Sequence, residues 1–180
     1  HVPDRVTQLM EKGVSIPSPS SVEIGDEVRI ERISGDGVVL YGGTKLYGAT
    51  TLICEGTELG HEAPVTIVDC KIGRGARLKG GFFKGSTFLD GVQVTSGAHV
   101  REGCILEEEV RIDHTVGLKQ TILFPYVTLG SLINFCDCLM SGGTDRKNHS
   151  EVGSSYIHFN YTPNQDKATA SLVGDVPTGV

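Results

Sequence analysis

Tryptophan is absent from this 180-residue chain, and Phe and Tyr together number only 11. A thick globular core usually draws on aromatics, so a thin core of stacked aliphatics is the better expectation. No run of about 18 apolar residues occurs, which excludes a membrane-crossing helix. No charged-then-apolar leader occurs either, so no secretory signal is read. The five cysteines (Cys54, Cys70, Cys104, Cys136, Cys138) are odd in number and form no Cys-x-x-Cys pair. That pattern reads as reduced thiols in a cytoplasmic protein. Basic residues are outnumbered, 16 against 22 acidic, for a formal charge of −6. The balance argues against a nucleic-acid partner.

What is present is a repeat. Val94, Val100, Leu106, Ile112 and Leu118 recur every six residues, as do Leu40, Leu46 and Leu52, and Ile72 and Leu78. Gly often follows the aliphatic, as in Ile24-Gly25, Ile72-Gly73 and Leu129-Gly130. A small or β-branched residue stands four places after it: Val28, Thr44, Thr50, Ala63, Ala76, Ala98. Six is the period of neither a helix nor an alternating strand. It fits a strand plus a corner, the corner made by residues that tolerate positive φ. Three such units close one triangular coil, and coils pair as parallel strands about 4.8 Å apart. The expected fold is an all-β, left-handed parallel β-helix of seven to eight coils. Residues 18 apart should stack, as in Val94/Ile112, Val100/Leu118 and Leu106/Phe124. Slips are expected near 58 and 71, and a break at Pro125.

Residues 1–21 read as an N-terminal cap and linker, and residues 22–180 as the β-helix. Pro3 to Lys12 suits a short helix ended by Gly13, with Val6, Leu9 and Met10 on one face. Ile16 to Ser20 reads as an extended linker. The helix would cover the open strand edge of the first coil. The repeat stops in mid-unit at Val180, so the chain is truncated there or a partner covers that end. Two stretches depart from the repeat, Ser141–Glu151 and Tyr156–Ala168, and departures are where repeat folds tend to place function.

The hexapeptides resemble the acyltransferase superfamily that uses this β-helix. The tail is similar to the C-terminal domain of the bifunctional N-acetylglucosamine-1-phosphate uridyltransferase and glucosamine-1-phosphate acetyltransferase family. The matching residues are Asn134-Phe135, Lys147-Asn148-His149, Phe159-Asn160-Tyr161-Thr162, Lys167 and Val173-Gly174-Asp175. The chain also resembles proteins related to UDP-N-acetylglucosamine pyrophosphorylase. The resemblance implies acetyl transfer from acetyl-CoA to an amino-sugar phosphate in a homotrimer. His149 would be the general base, with Lys147, Asn160, Tyr161 and Lys167 binding substrate. Two features of the family pattern have no counterpart. Pro125-Tyr126-Val127-Thr128-Leu129 stands where the family has an arginine, and Cys136-Asp137-Cys138 where it has paired lysines. The uridyltransferase half has no motif here.

A neutral imidazole can take an amine proton as an acetyl group transfers, which suits His149. The plainer reading is a solvated loop histidine. His158, His61, His99 and His114 read as surface residues. No two histidines have the spacing of the fold's zinc anhydrases, and Cys136 and Cys138 read as small apolar core residues, so no metal is expected. The alternative function is a non-catalytic β-helix that binds a sugar nucleotide or serves as an oligomerisation scaffold.

Overall fold

A computed structural model describes residues 1–154. Its strands form three parallel sheets that wind a triangular prism, the expected left-handed β-helix with one short N-terminal helix. Face I holds seven strands: Glu23–Ile24, Lys45–Tyr47, Val65–Val68, Gly81–Lys84, Ala98–Val100, Gly117–Lys119 and Asn134–Cys136. Face II holds six: Leu52–Ile53, Lys71–Ile72, Thr87–Phe88, Ile105–Leu106, Ile122–Leu123 and Leu139–Met140. Face III holds seven: Val39–Leu40, Glu58–Leu59, Arg77–Leu78, Gln93–Val94, Arg111–Ile112, Thr128–Leu129 and Glu151–Val152. The described residues therefore build between six and seven coils.

One aliphatic or aromatic side chain per strand points into the prism, and a smaller one two places earlier fills the space beside the corner. Leu40, Leu59, Leu78, Val94, Ile112 and Leu129 stack along face III, all essentially inaccessible. Thr44, Thr51, Thr57, Ser86 and Thr121 occupy the smaller position fully buried, and each spends its hydroxyl on a carbonyl. Burying a hydroxyl without such a bond would cost about 1–3 kcal/mol.

Val94 pairs with Ile112 and Val100 with Leu118, as expected. Leu106 stacks on Leu123, not Phe124. The register therefore shortens before Pro125, at Gln120, which turns the corner with φ 46°. Leu52 is likewise not the inward residue; Ile53 is. An extra residue after Leu46 accounts for the shift, and it moves the buried threonine from Thr50 to Thr51.

At Gly25, Gly73 and Gly130 the glycine immediately after the aliphatic is not the left-handed residue, whereas Gly60, after Leu59, is, with φ 89°. Many corners turn three places after the inward residue, as at Gly56, Gly75, Gly91, Gly97 and Gly103, all with positive φ; at Gly48, Asp69 and Gly85 the corner comes two places after it. Gly73 and Gly130 have ordinary φ; their role is room, because a Cβ at Gly130 would lie 2.4 Å from the Ser154 amide. From Glu109 onward no left-handed residue among the described residues is glycine. Six successive corners are Glu109, Thr115, Gln120, Tyr126, Leu132 and Asp137, with φ between 46° and 67°. Each L-residue held there costs on the order of 1–2 kcal/mol. The corner amides donate to the preceding coil, as Tyr126 does to the Glu108 carbonyl at 2.9 Å.

The helix spans Asp4–Lys12, closed by Gly13 at φ 119°. Val6 and Leu9 are buried, whereas Met10 is 42% exposed and does not share their face. Arg5 donates to the Val28 carbonyl and Lys12 to that of Ile30, which ties the helix over the first coil. The segment Ile16–Ser20 is only partly extended. Ser15 bridges to Val39 at the edge of face III, and Pro19–Ser21 is a 3-10 turn.

Candidate functional site

The widest departure from the repeat is residues 141–150, which replace one corner between face II and face III. Gly142 lies where a Cβ would stand 2.2 Å from the Pro125 carbonyl, and Gly143 where it would stand 2.0 Å from that of Asn148. The close approach these glycines permit is to the chain's own backbone. Gly143 donates to the Pro125 carbonyl at 2.9 Å, and Thr144 to that of Asn148 at 2.9 Å. The Asp145 carboxylate accepts from the amides of Lys147 (2.7 Å) and Asn148 (3.0 Å), which closes the tip of the turn.

Arg146 anchors this loop to the two coils beneath it. Its guanidinium donates to the Glu109 carbonyl at 3.2 Å, to the Tyr126 carbonyl and to Thr128 Oγ1 at 2.8 Å. It also lies 5.7 Å from the centroid of the Tyr126 ring. Both carbonyls belong to left-handed corner residues, so the side chain pins two strained corners on one edge of the prism. Burial, reinforced by the Arg111 guanidinium, holds its pKa below the ordinary arginine value. The stretch 125–129 contains no arginine, yet the fold brings one to it.

His149 follows, with 18% of its side chain exposed. Its Nε2 stands 3.4 Å from Glu151 Oε2, and its Nδ1 is buried with no partner among the described residues. The two residues lie two apart, so an extended chain sends both to one side. Lys147 sits at the exposed tip of the turn, and its ammonium makes no ion pair among the described residues. Asn160, Tyr161 and Lys167, like His158, lie outside the described residues.

Glu151 belongs to an outward ladder on face III. Arg111 pairs with Thr128, and Thr128 with Glu151. These residues line a shallow cavity of about 320 Å³, with Lys79, Gln93 and Asp113 further along it. Arg111 forms no ion pair among the described residues. The cavity thus joins an unpaired guanidinium and two carboxylates, and one of these, Glu151, also stands beside His149, which does not line the cavity. Arg146, Glu151 and Arg111 were not singled out by the sequence reading. For Glu151 the signal was its spacing from His149; for Arg111 it was its outward place in the repeat.

His61, His99 and His114 are exposed, as expected of surface positions. Cys136 and Cys138 are not core residues. Cys136 is exposed and Cys138 half-buried, because Asp137 turns a corner between them with φ 57° and sends them to different faces. No group of three or more metal-ligating side chains gathers among the described residues, and no helix there is long and apolar enough to cross a membrane.

No family model matches the chain. Curated relatives do. The bifunctional protein GlmU of Corynebacterium aurimucosum is 28% identical over 156 residues, covering 87% of this chain and 29% of the relative. That of Nocardia farcinica is 29% identical over 152 residues, covering 84% and 28%. That of Streptococcus agalactiae is 30% identical over 175 residues, covering 86% and 35%. The chain spans about a third of the length of the curated relatives it matches.

Proposed function

We propose, from its standing as a hexapeptide-repeat homologue of the GlmU proteins, that the chain moves an acetyl group from acetyl-CoA to the amine of an amino-sugar phosphate. The observation behind this reading is the pairing of His149 with Glu151 beside the face III cavity. Glu151 beside Nε2 stabilises the imidazolium that forms when His149 takes up a proton. In the reaction the amine nitrogen attacks the thioester carbonyl, the new C–N bond forms and the C–S bond breaks. The amine proton passes to the His149 imidazole and the coenzyme leaves as its thiolate, which the imidazolium can reprotonate.

Arg111 supplies the charge suited to a substrate phosphate. Arg146 is a positioning residue, since its donors are spent on the chain itself. The cavity is at the small end of ligand sites, enough for the sugar and acyl group but not for a whole coenzyme. Lys147, Asn160, Tyr161 and Lys167 are proposed to hold substrate and donor. A homotrimer is the proposed assembly and the cytoplasm the proposed compartment. Face II supports assembly, because Ile105, Ile122 and Leu139 form an outward apolar ladder, with Leu139 68% exposed.

A second reading has its own support: a β-helix that binds a sugar nucleotide, or scaffolds an assembly, without catalysis. The arginine nearest residues 125–129 is consumed by internal bonds, and Asp137 turns a corner where the acetyltransferase pattern has lysine. Calorimetry with acetyl-CoA and with UDP-N-acetylglucosamine separates the two. Acetyl-CoA binding that survives His149→Ala supports transfer. Binding of the sugar nucleotide alone supports the second reading.

A further inference from the structure

Face I carries a feature that the acetyl-transfer reading does not use. Its outward ladder runs Phe82, His99, Gly117, Asn134, and beside it runs Lys84, Arg101, Lys119, Cys136. Gly117 interrupts the first row. Its φ is not in the left-handed region, so no turn demands glycine there. A methyl group at that position would stand 2.6 Å from Asn134 Oδ1. Glycine in mid-strand without a conformational need marks a place where something approaches the backbone closely.

The result is a notch of about 310 Å³. It is bounded by His99, Arg101, Lys119 and Asn134, with Leu118 buried beneath as the floor. None of the residues lining it is acidic. Lys84 is neutralised by Glu102 at 3.1 Å, but Arg101 and Lys119 form no ion pair among the described residues. They stand in successive coils, about 4.8 Å apart, and about 7 Å along the strand from His99 and Asn134. His99 packs on Phe82 with ring centroids 5.2 Å apart, which steadies the imidazole at the rim.

We propose that this notch is a phosphoryl-binding site, taking the phosphate of a sugar phosphate or the pyrophosphate of a nucleotide. Two permanent cations, an amide and an imidazole border one notch, which is roomy enough for a phosphoryl group and part of what carries it. The guanidinium supplies a planar fork of donors and the ammonium a point charge, the usual pair for phosphate oxygens. The missing side chain at Gly117 lets the Asn134 amide lie low against the backbone, at the floor of the notch. On a chain of charge −6, an unpaired cationic notch without carboxylates is the place where an anion loses least to repulsion. The inference is independent of His149 and of acetyl transfer.

The test is calorimetry of the whole chain with inorganic phosphate, inorganic pyrophosphate and glucose 1-phosphate. Wild type is expected to bind all three, with affinity falling as salt rises. The tightest arm tells a nucleotide pyrophosphate from a sugar phosphate. Arg101→Gln and Lys119→Gln are each expected to weaken binding about tenfold or more, the loss of one charge-assisted contact. Gly117→Ala should weaken it similarly by pushing the Asn134 amide out of its place. Arg77→Gln, on face III and already paired with Glu58 at 3.0 Å, should leave it unchanged. If Gly117→Ala does not fold, the two surface variants decide alone. No binding by wild type overturns the proposal, as does equal binding by every variant. A change of oligomeric mass in Arg101→Gln with phosphate binding intact also overturns it, and makes this face a subunit contact.

Discussion

Replacing Arg146 with Met should release residues 141–150 from the prism while leaving the prism folded. The guanidinium makes three bonds to groups on the coils below, at Glu109, Tyr126 and Thr128. Charge-assisted bonds of this kind contribute about 1.5–3 kcal/mol each, and three on one side chain are not additive. The carbonyls regain water once the loop lifts, so a net loss of about 2–3 kcal/mol in local stability is expected. That corresponds to amide exchange about 30- to 150-fold faster at the loop. The reporters are the amides of Gly143, Thr144 and Asn148, which close the loop onto Pro125 and onto itself. The amides of Val94, Ile112 and Leu129 in the prism should keep their protection. Hydrogen exchange read by NMR measures both sets in one sample. Unchanged exchange at the three loop amides would refute the anchoring role. Equal acceleration throughout the prism would show that Arg146 supports the whole fold.

Leu132 is 53% exposed and held at φ 62°, so Leu132→Gly should stabilise the protein by about 1 kcal/mol despite the flexibility glycine adds to the unfolded chain, as chemical denaturation would show. Burial pushes the Cys70 thiol up to about 11, from an ordinary 9.0. A group whose pKa is raised by folding stabilises below its unfolded value, and that stability is lost as pH rises through 9 to 11. Cys70→Ala should therefore flatten the decline in that window by up to about 2 kcal/mol, measured by denaturation at each pH. Thiol reagents should label exposed Cys136 first and spare Cys70 and Cys104 in the native state, since burial raises both of the latter; mass mapping after brief alkylation checks the order. Leu139→Lys on face II should reduce the oligomeric mass seen by light scattering if that ladder is covered by a second copy.

The prism was legible because its signal is redundant. An aliphatic every six residues, with a small residue two places before it, can satisfy few folds other than a thin coil. The exact register was less legible, because corners absorb one residue more or fewer at little cost. The shift at Gln120 and the extra residue before Ile53 left no mark in composition. The corner positions were not legible, since glycine serves here both for left-handed φ and for close packing, and the string of letters does not separate the two. Nothing in the repeat announced that Thr115, Tyr126 or Leu132 would hold a left-handed corner. At the site, His149 was visible through its motif and Glu151 was recoverable from strand spacing. Arg146 was not, because its partners are backbone carbonyls 20 and 37 residues earlier, brought beneath it only by winding the chain.

Acetyl transfer by this chain depends on His149 as a base. The direct measurement is the steady-state rate of acetyl transfer from acetyl-CoA to glucosamine 1-phosphate by the wild type and by His149→Gln. The account predicts a measurable wild-type rate and a kcat lowered about 10²- to 10⁴-fold in the variant, with KM for both substrates nearly unchanged. A wild type that binds both substrates and transfers nothing, or a variant as fast as the wild type, would contradict it.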